Sequence, residues 1–156
     1  FEVAATPGRH VTVAQYEGKP GTGSLLGAQY ALWRDGPGDG LLNPRLNGQV
    51  QFGMAAGEAY FQQGAENSIA KIQNASFGVD FDRARFDASL TLSHAQTGAV
   101  GLNVSGSVND RGIFSGGSSS QRVAGALSLD GKEAGFLFSR TVDLGVFRGV
   151  TLWNTR

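Results

Sequence analysis

Residues 77–92 read FGVDFDRARFDASLTL, and their side chains change character one residue at a time. Phe77, Val79 and Phe81 are apolar, with Asp80 and Asp82 interleaved. After Asp82-Arg83-Ala84-Arg85 the alternation resumes. Phe86, Ala88, Leu90 and Leu92 form one set; Asp87, Ser89, Thr91 and Ser93 form the other. A period of two puts the two sets on opposite faces of a strand. The four-residue joint predicts a hairpin.

The same pattern recurs along the chain. His10–Tyr16 (HVTVAQY) and Leu25–Trp33 (LLGAQYALW) alternate, and DGPGDG follows as a loop. Gln49–Tyr60 and Ser68–Asn74 read as two further strands, although residues 53–72 are also the one tolerable helix candidate. Gly57 and Gly64 count against that helix, at about 1 kcal/mol each. Later come AVGLNVSGSV, the turn Asn109-Asp110-Arg111-Gly112, IFSG, a serine loop, and VAGALSL. Asp130-Gly131 is a strong two-residue hairpin signal, and EAGFLFSR and GVFRGVTLW close the series.

Strands with one apolar face need a partner surface. A meander of about eight strands supplies it by rolling up, which also removes the sheet edges. The expectation is therefore an all-β protein: a small antiparallel up-and-down β-barrel of about eight strands, forming a single domain over residues 1–156. The 24 glycines suit tight turns and close backbone approach. Ala88, Ala124, Ala126 and Gly149 are expected to line a narrow interior.

Thirteen basic residues balance thirteen acidic ones. This gives no electrostatic reason to expect nucleic acid or an anionic membrane as partner. The absence of cysteine removes disulfides, thiolate metal sites and cysteine nucleophiles. No apolar run reaches the roughly 18 residues of a spanning helix. The chain begins at Phe1 and reads as a matured form or a fragment of a longer chain.

Four features together resemble a known family. They are Val79-Asp80-Phe81, the alternating strand Phe86–Leu92, Gly112-Ile113-Phe114-Ser115-Gly116, and Gly125-Ala126-Leu127 after an insertion. Over residues 75–138 the chain resembles the β-barrel domain of the transferrin-binding-protein-B-like surface lipoproteins of Gram-negative bacteria, and the related barrels of FecR-type proteins. The family's double glycine is here a single Gly125 followed by Ala126. The resemblance implies a barrel in a cell-envelope setting: outer-membrane-associated, periplasmic or secreted. It implies a role connected with iron acquisition. It does not identify the partner.

The residues offer few chemical constellations. Asp80 and Asp82 could serve acid–base chemistry or a hard cation, against a plain solvated face with surface ion pairs. Asp35 and Asp39 in DGPGDG fit no standard calcium loop. His10 and His94 are the only histidines, and no G-x-S-x-G elbow accompanies the many serines. His10, Tyr16, Tyr30 and Tyr60 are candidate axial haem ligands. Trp33, Trp153 and most phenylalanines read as barrel lining, with Phe61 and Phe147 as candidate exposed rim residues. The polar loop Gly116–Arg122, with Ser118, Ser119, Gln121 and Arg122, reads as a binding loop.

The leading expectation is a non-catalytic module that binds a host or envelope protein through its loops and needs no cofactor. The alternative is a carrier of haem or another apolar ligand in or at the mouth of the barrel. A hydrolase using Asp80 or Asp82 is a third reading.

Overall fold

The computed structural model describes residues 2–4, 11–15, 25–26, 30–34 and 40–156. Among the described residues every regular element is a strand. β1 (Glu2–Ala4), β2 (Val11–Gln15), β3 (Leu25–Leu26) and β4 (Tyr30–Arg34) form one sheet in the order β1-β2-β4-β3. β5 (Gln49–Gln63), β6 (Glu66–Asp80), β7 (Arg85–His94), β8 (Gly98–Val108), β9 (Ile113–Gly117), β10 (Gln121–Leu127), β11 (Glu133–Val142) and β12 (Gly145–Thr155) form a closed antiparallel barrel. Each barrel strand pairs with its chain neighbours, and β12 pairs back on β5 to close the ring.

The expected meander is thus present, with eight strands in the wall. Two differences have physical causes. The alternating segments His10–Tyr16 and Leu25–Trp33 supply strands of the smaller sheet, because the β12–β5 pairing leaves the barrel no free edge for them. The helix over residues 53–72 does not form. Gln63 pairs with Glu66 across Gly64-Ala65, and Gly64 takes a φ of 61°, which suits a tight hairpin rather than a helix.

β5 and β6 are long and kinked. β5 carries one residue more than β12 between Met54 and Ala56. β6 carries one more than β7 between Gln73 and Ser76, where Asn74 has a φ of 49°. The two bulges offset each other. Phe52 still faces Phe77, and Ala59 still faces Ala70.

The inward faces form one aromatic core. Phe77 lies among Phe52, Phe114, Phe136 and Trp153, with ring centroids 5.2–5.5 Å away, and Phe86 at 6.4 Å. These rings are within the range of favourable aromatic pairing. Their bulk decides where glycine must stand. A Cβ on Gly125 would lie 2.2 Å from the Gly135 carbonyl oxygen and 2.6 Å from the Phe114 ring. A Cβ on Gly149 would lie 2.1 Å from the Glu58 carbonyl oxygen and 2.5 Å from the Phe138 ring. Gly125 therefore takes the inward position between Val123 and Leu127. Ala124 and Ala126, expected inside, lie on the outward face. Ala88 is inside as expected.

One end of the barrel is covered by residues 40–48. The Leu42 and Asn43 amides donate to the carbonyls of Asp110 and Leu129 (2.9 Å each), and Leu42 packs on the core. The turn at Asp130-Gly131 is longer than a two-residue hairpin. Ser128 N–H bonds the Glu133 carbonyl (2.8 Å), and the Asp130 carboxylate accepts from Ser128 Oγ and Lys132 N–H.

The outward faces of β11 and β12 are not fully wet. Leu137, Val150 and Leu152 pack with Leu32 of β4, which places the small sheet against this wall. Arg34 fastens it: its buried guanidinium donates to the carbonyls of Leu127 (3.2 Å) and Arg111. Burial lowers the Arg34 pKa. On β7 the outer face is polar and the inner face apolar. That is the reverse of a barrel whose wall faces lipid. Among the described residues no helix is long and apolar enough to cross a membrane.

Asp80 ends β6 and holds the next turn. Its Oδ1 accepts from Arg83 N–H (3.0 Å); its Oδ2 accepts from Arg83 Nη1 (3.1 Å) and Gln49 Nε2 (3.3 Å). The Arg83 backbone bond is the main cause of a pKa below the usual aspartate value.

Two outcomes are expected. Phe77→Ala should cost about 3–5 kcal/mol in urea unfolding, because the rings around it cannot all close the gap. A loss under about 1 kcal/mol would contradict a filled interior. Asp80 has a depressed native pKa, so its stabilisation is present at neutral pH and is lost as the pH falls through that native value. Asp80→Asn should be slightly less stable than the parent at pH 7, and the gap should close below about pH 4. A gap that widens on acidification would contradict this turn assignment.

Candidate functional site

The barrel interior is occupied by its own side chains. Phe52, Phe61, Phe77, Phe86, Phe114, Phe136, Phe147 and Trp153 are all at most 1% exposed. A flat ligand of haem size has no room among them. Of the candidate haem ligands, Tyr60 does not point there. Tyr60 is half-buried on the outer face, beside the Leu137–Val150–Leu152 cluster. Tyr30 lies in β4 opposite Gln15. His10 and Tyr16 lie outside the described residues, as do Asp35 and Asp39.

Phe61 and Phe147, expected at an exposed rim, are interior. Their ring centroids are 4.8 Å apart, and the His94 ring lies 4.8 Å from Phe61, tilted by 37°. They face each other across the β5–β12 pairing and fill the barrel beyond Phe138. Their inward parity was visible in the alternation of GVFRGV, but which end of a strand reaches solvent depends on register.

The remaining polar candidates separate. Asp80 is engaged by Arg83 and Gln49 as described, and Asp82 is exposed. His94 Nε2 lies 2.7 Å from Ser68 Oγ. The Gln96 N–H donates to His94 Nδ1 (3.2 Å), which requires a lone pair there. In the neutral ring the proton therefore sits on Nε2 and points at the serine. A base that activates serine needs the opposite arrangement. No group of three His, Cys, Asp or Glu side chains among the described residues could hold a metal ion.

The loop at Gly116–Arg122 is tighter than its composition suggested. β9 continues to Gly117, and β10 resumes at Gln121. Gly117 has a φ of 118°, and a Cβ there would lie 2.1 Å from the Gln121 carbonyl oxygen. Only glycine can carry the strand into so abrupt a reversal. Ser118 N–H then donates to the Gln121 carbonyl (2.7 Å), leaving Ser119 and Ser120 at the tip. The Ser120 carbonyl accepts from Thr141 N–H (2.7 Å), which ties the tip to β11.

Three of the four loop residues come together. Ser118, Ser119 and Arg122 line a groove of about 790 Å³, which opens on the outer wall of β9–β12. Gln121 does not join them. Its Oε1 accepts from Asn103 N–H on β8 (3.1 Å). β9 pairs with β8 only over Gly106–Val108, so the rest of the β8 edge is met by side chains. Gln121 is one; Arg140 Nε, donating to the Gly101 carbonyl (2.9 Å), is another.

Sequence reasoning missed the far bank of the groove. Ser139 of β11 and Arg148 of β12 lie there. Register puts Arg122 opposite Ser139 and Ser139 opposite Arg148, so the three form one outward row across adjacent strands. The usable signal was parity: Phe138 and Phe147 point inward, so their neighbours Ser139 and Arg148 point outward. Leu137 and Ala124 lie in the next outward row, opposite each other, and give the groove an apolar floor.

No family model matches the chain, and no curated protein matches it. Solved structures do. One is the isotype 1 transferrin binding protein B of serogroup B Neisseria meningitidis, 13% identical over 99% of this chain and 32% of that one, with a TM-score of 0.59. Another is intact Ap-TbpB with its N and C lobes, 16% identical over 98% of this chain and 35% of that one, with a TM-score of 0.56. The chain spans about a third of the length of each. At these identities the likeness is one of fold: this chain is built like a barrel-bearing portion of transferrin binding protein B, with a closed eight-stranded antiparallel wall.

Proposed function

We propose that this chain is a non-catalytic binding module that holds a protein partner at the β9–β10 hairpin and the groove beside it. One observation carries this reading: the interior is spent on aromatic packing, whereas polar and cationic side chains gather around an open groove on the outer wall. Binding residues carried by short turns on a rigid wall lose little entropy on association. The fold agrees, since the solved structures that share it include proteins named for binding transferrin. With the sequence resemblance, this supports a Gram-negative envelope setting, a surface-lipoprotein parent, a host or envelope protein as partner, and a part in iron acquisition.

The test is capture from culture medium, host serum and outer-membrane extract on immobilised protein. The parent chain should retain a protein at micromolar concentration. Ser119→Trp places a bulky ring at the hairpin tip without touching the core, and it should weaken retention roughly tenfold. Retention of nothing, or equal retention by parent and variant, would overturn the reading.

A further inference from the structure

Resting on that reading, we infer that the groove takes an acidic extended segment of the partner, with a carboxylate seated between Arg122 and Arg148. The first ground is charge. The described lining holds two arginines and several serine hydroxyls but no carboxylate. Among the described residues, neither arginine side chain forms a hydrogen bond or an ion pair. The second ground is the state of Arg148. Its Nε is shut off from solvent and has no hydrogen-bond partner. A buried N–H on a cation that meets neither water nor an acceptor is costly, and an anion that pairs with the same guanidinium offsets that cost.

The third ground is spacing. Arg122 and Arg148 stand two strands apart in one row, with Ser139 between them. Neighbouring strands lie about 4.8 Å apart, so the two Cα atoms are about 10 Å apart. Two long side chains can converge across that span on one anionic group, with the Ser139 hydroxyl as a further donor beneath it. Guanidinium groups match the planar, two-oxygen geometry of a carboxylate. The apolar floor of Leu137 and Ala124 can take a neighbouring apolar side chain of the same segment. Lined in this way, the groove matches a peptide that mixes acidic and apolar residues.

The experiment is a fluorescence-anisotropy titration of the whole chain with three labelled peptides. One alternates glutamate and leucine. The second carries glutamine for glutamate, and the third phosphoserine for glutamate. The glutamate peptide should bind at micromolar concentration and weaken as salt is raised. The glutamine peptide should bind at least roughly tenfold more weakly. Arg148→Gln should lower affinity for the glutamate peptide by a similar factor. Arg148→Lys should recover only part of it, since an ammonium keeps the charge but loses the two-pronged geometry. Arg122→Gln changes an exposed side chain and gives the same readout should Arg148→Gln fold poorly.

Equal binding of the glutamate and glutamine peptides, no binding of either, or indifference to both arginine substitutions would overturn the inference. So would a phosphoserine peptide that binds while the glutamate peptide does not. The two readings fail separately. A captured partner that is lost on Ser119→Trp but held equally by the arginine variants keeps the binding module and removes the carboxylate.

Discussion

Five aromatic rings converge on Phe77, and the rest of the molecule is arranged to let them do so. A small barrel has space for side chains or for a ligand, but not for both. Here side chains take it. The rings in turn fix the wall: Gly125 and Gly149 are glycines because backbone and ring atoms occupy the sites of their Cβ atoms. The paired bulges of β5 and β6 let the wall bend around this core without losing the pairing of Phe52 with Phe77. Interior packing of this kind is rigid and leaves recognition to the outside.

The outside is divided by what covers it. Leu32 and Arg34 bring the small sheet onto β11 and β12, which explains outward-facing Leu137, Val150 and Leu152. Next to that covered strip, the outward row Arg122–Ser139–Arg148 is polar and open. The groove thus sits at a boundary between dry and wet wall. Apolar floor and cationic banks are within one side chain of each other there. The short serine turn forms one side, held by backbone bonds to Gln121 and Thr141.

The architecture was legible because period-two alternation is a local signal. Phe86–Leu92 announces its inward face whatever lies beside it. The groove was half legible: a run of serines ending in arginine marks a turn, but Ser139 and Arg148 join it only through register, which no single strand encodes. Phe61 and Phe147 were misjudged for the same reason, since depth along a barrel follows from stagger rather than composition. The first strands look like wall strands because covering sheets and wall strands share one pattern. Ala124 and Ala126 were placed one step out of phase because small residues carry almost no parity signal, and only the ring of Phe114 shows why Gly125 is the inward one.

The central claim is that the inside of the barrel is full and dry. Trp153 reports on it directly: the ring is fully buried, and its Nε1–H donates to Thr151 Oγ1 at 2.7 Å. Hydrogen exchange of that indole proton, assigned by NMR with the aid of Trp33→Phe, is the most direct measurement. Exchange as slow as that of the most protected backbone amides, through global unfolding alone, is the predicted result. Exchange within seconds under native conditions would contradict the account, because it would mean that water reaches the space the rings are said to fill.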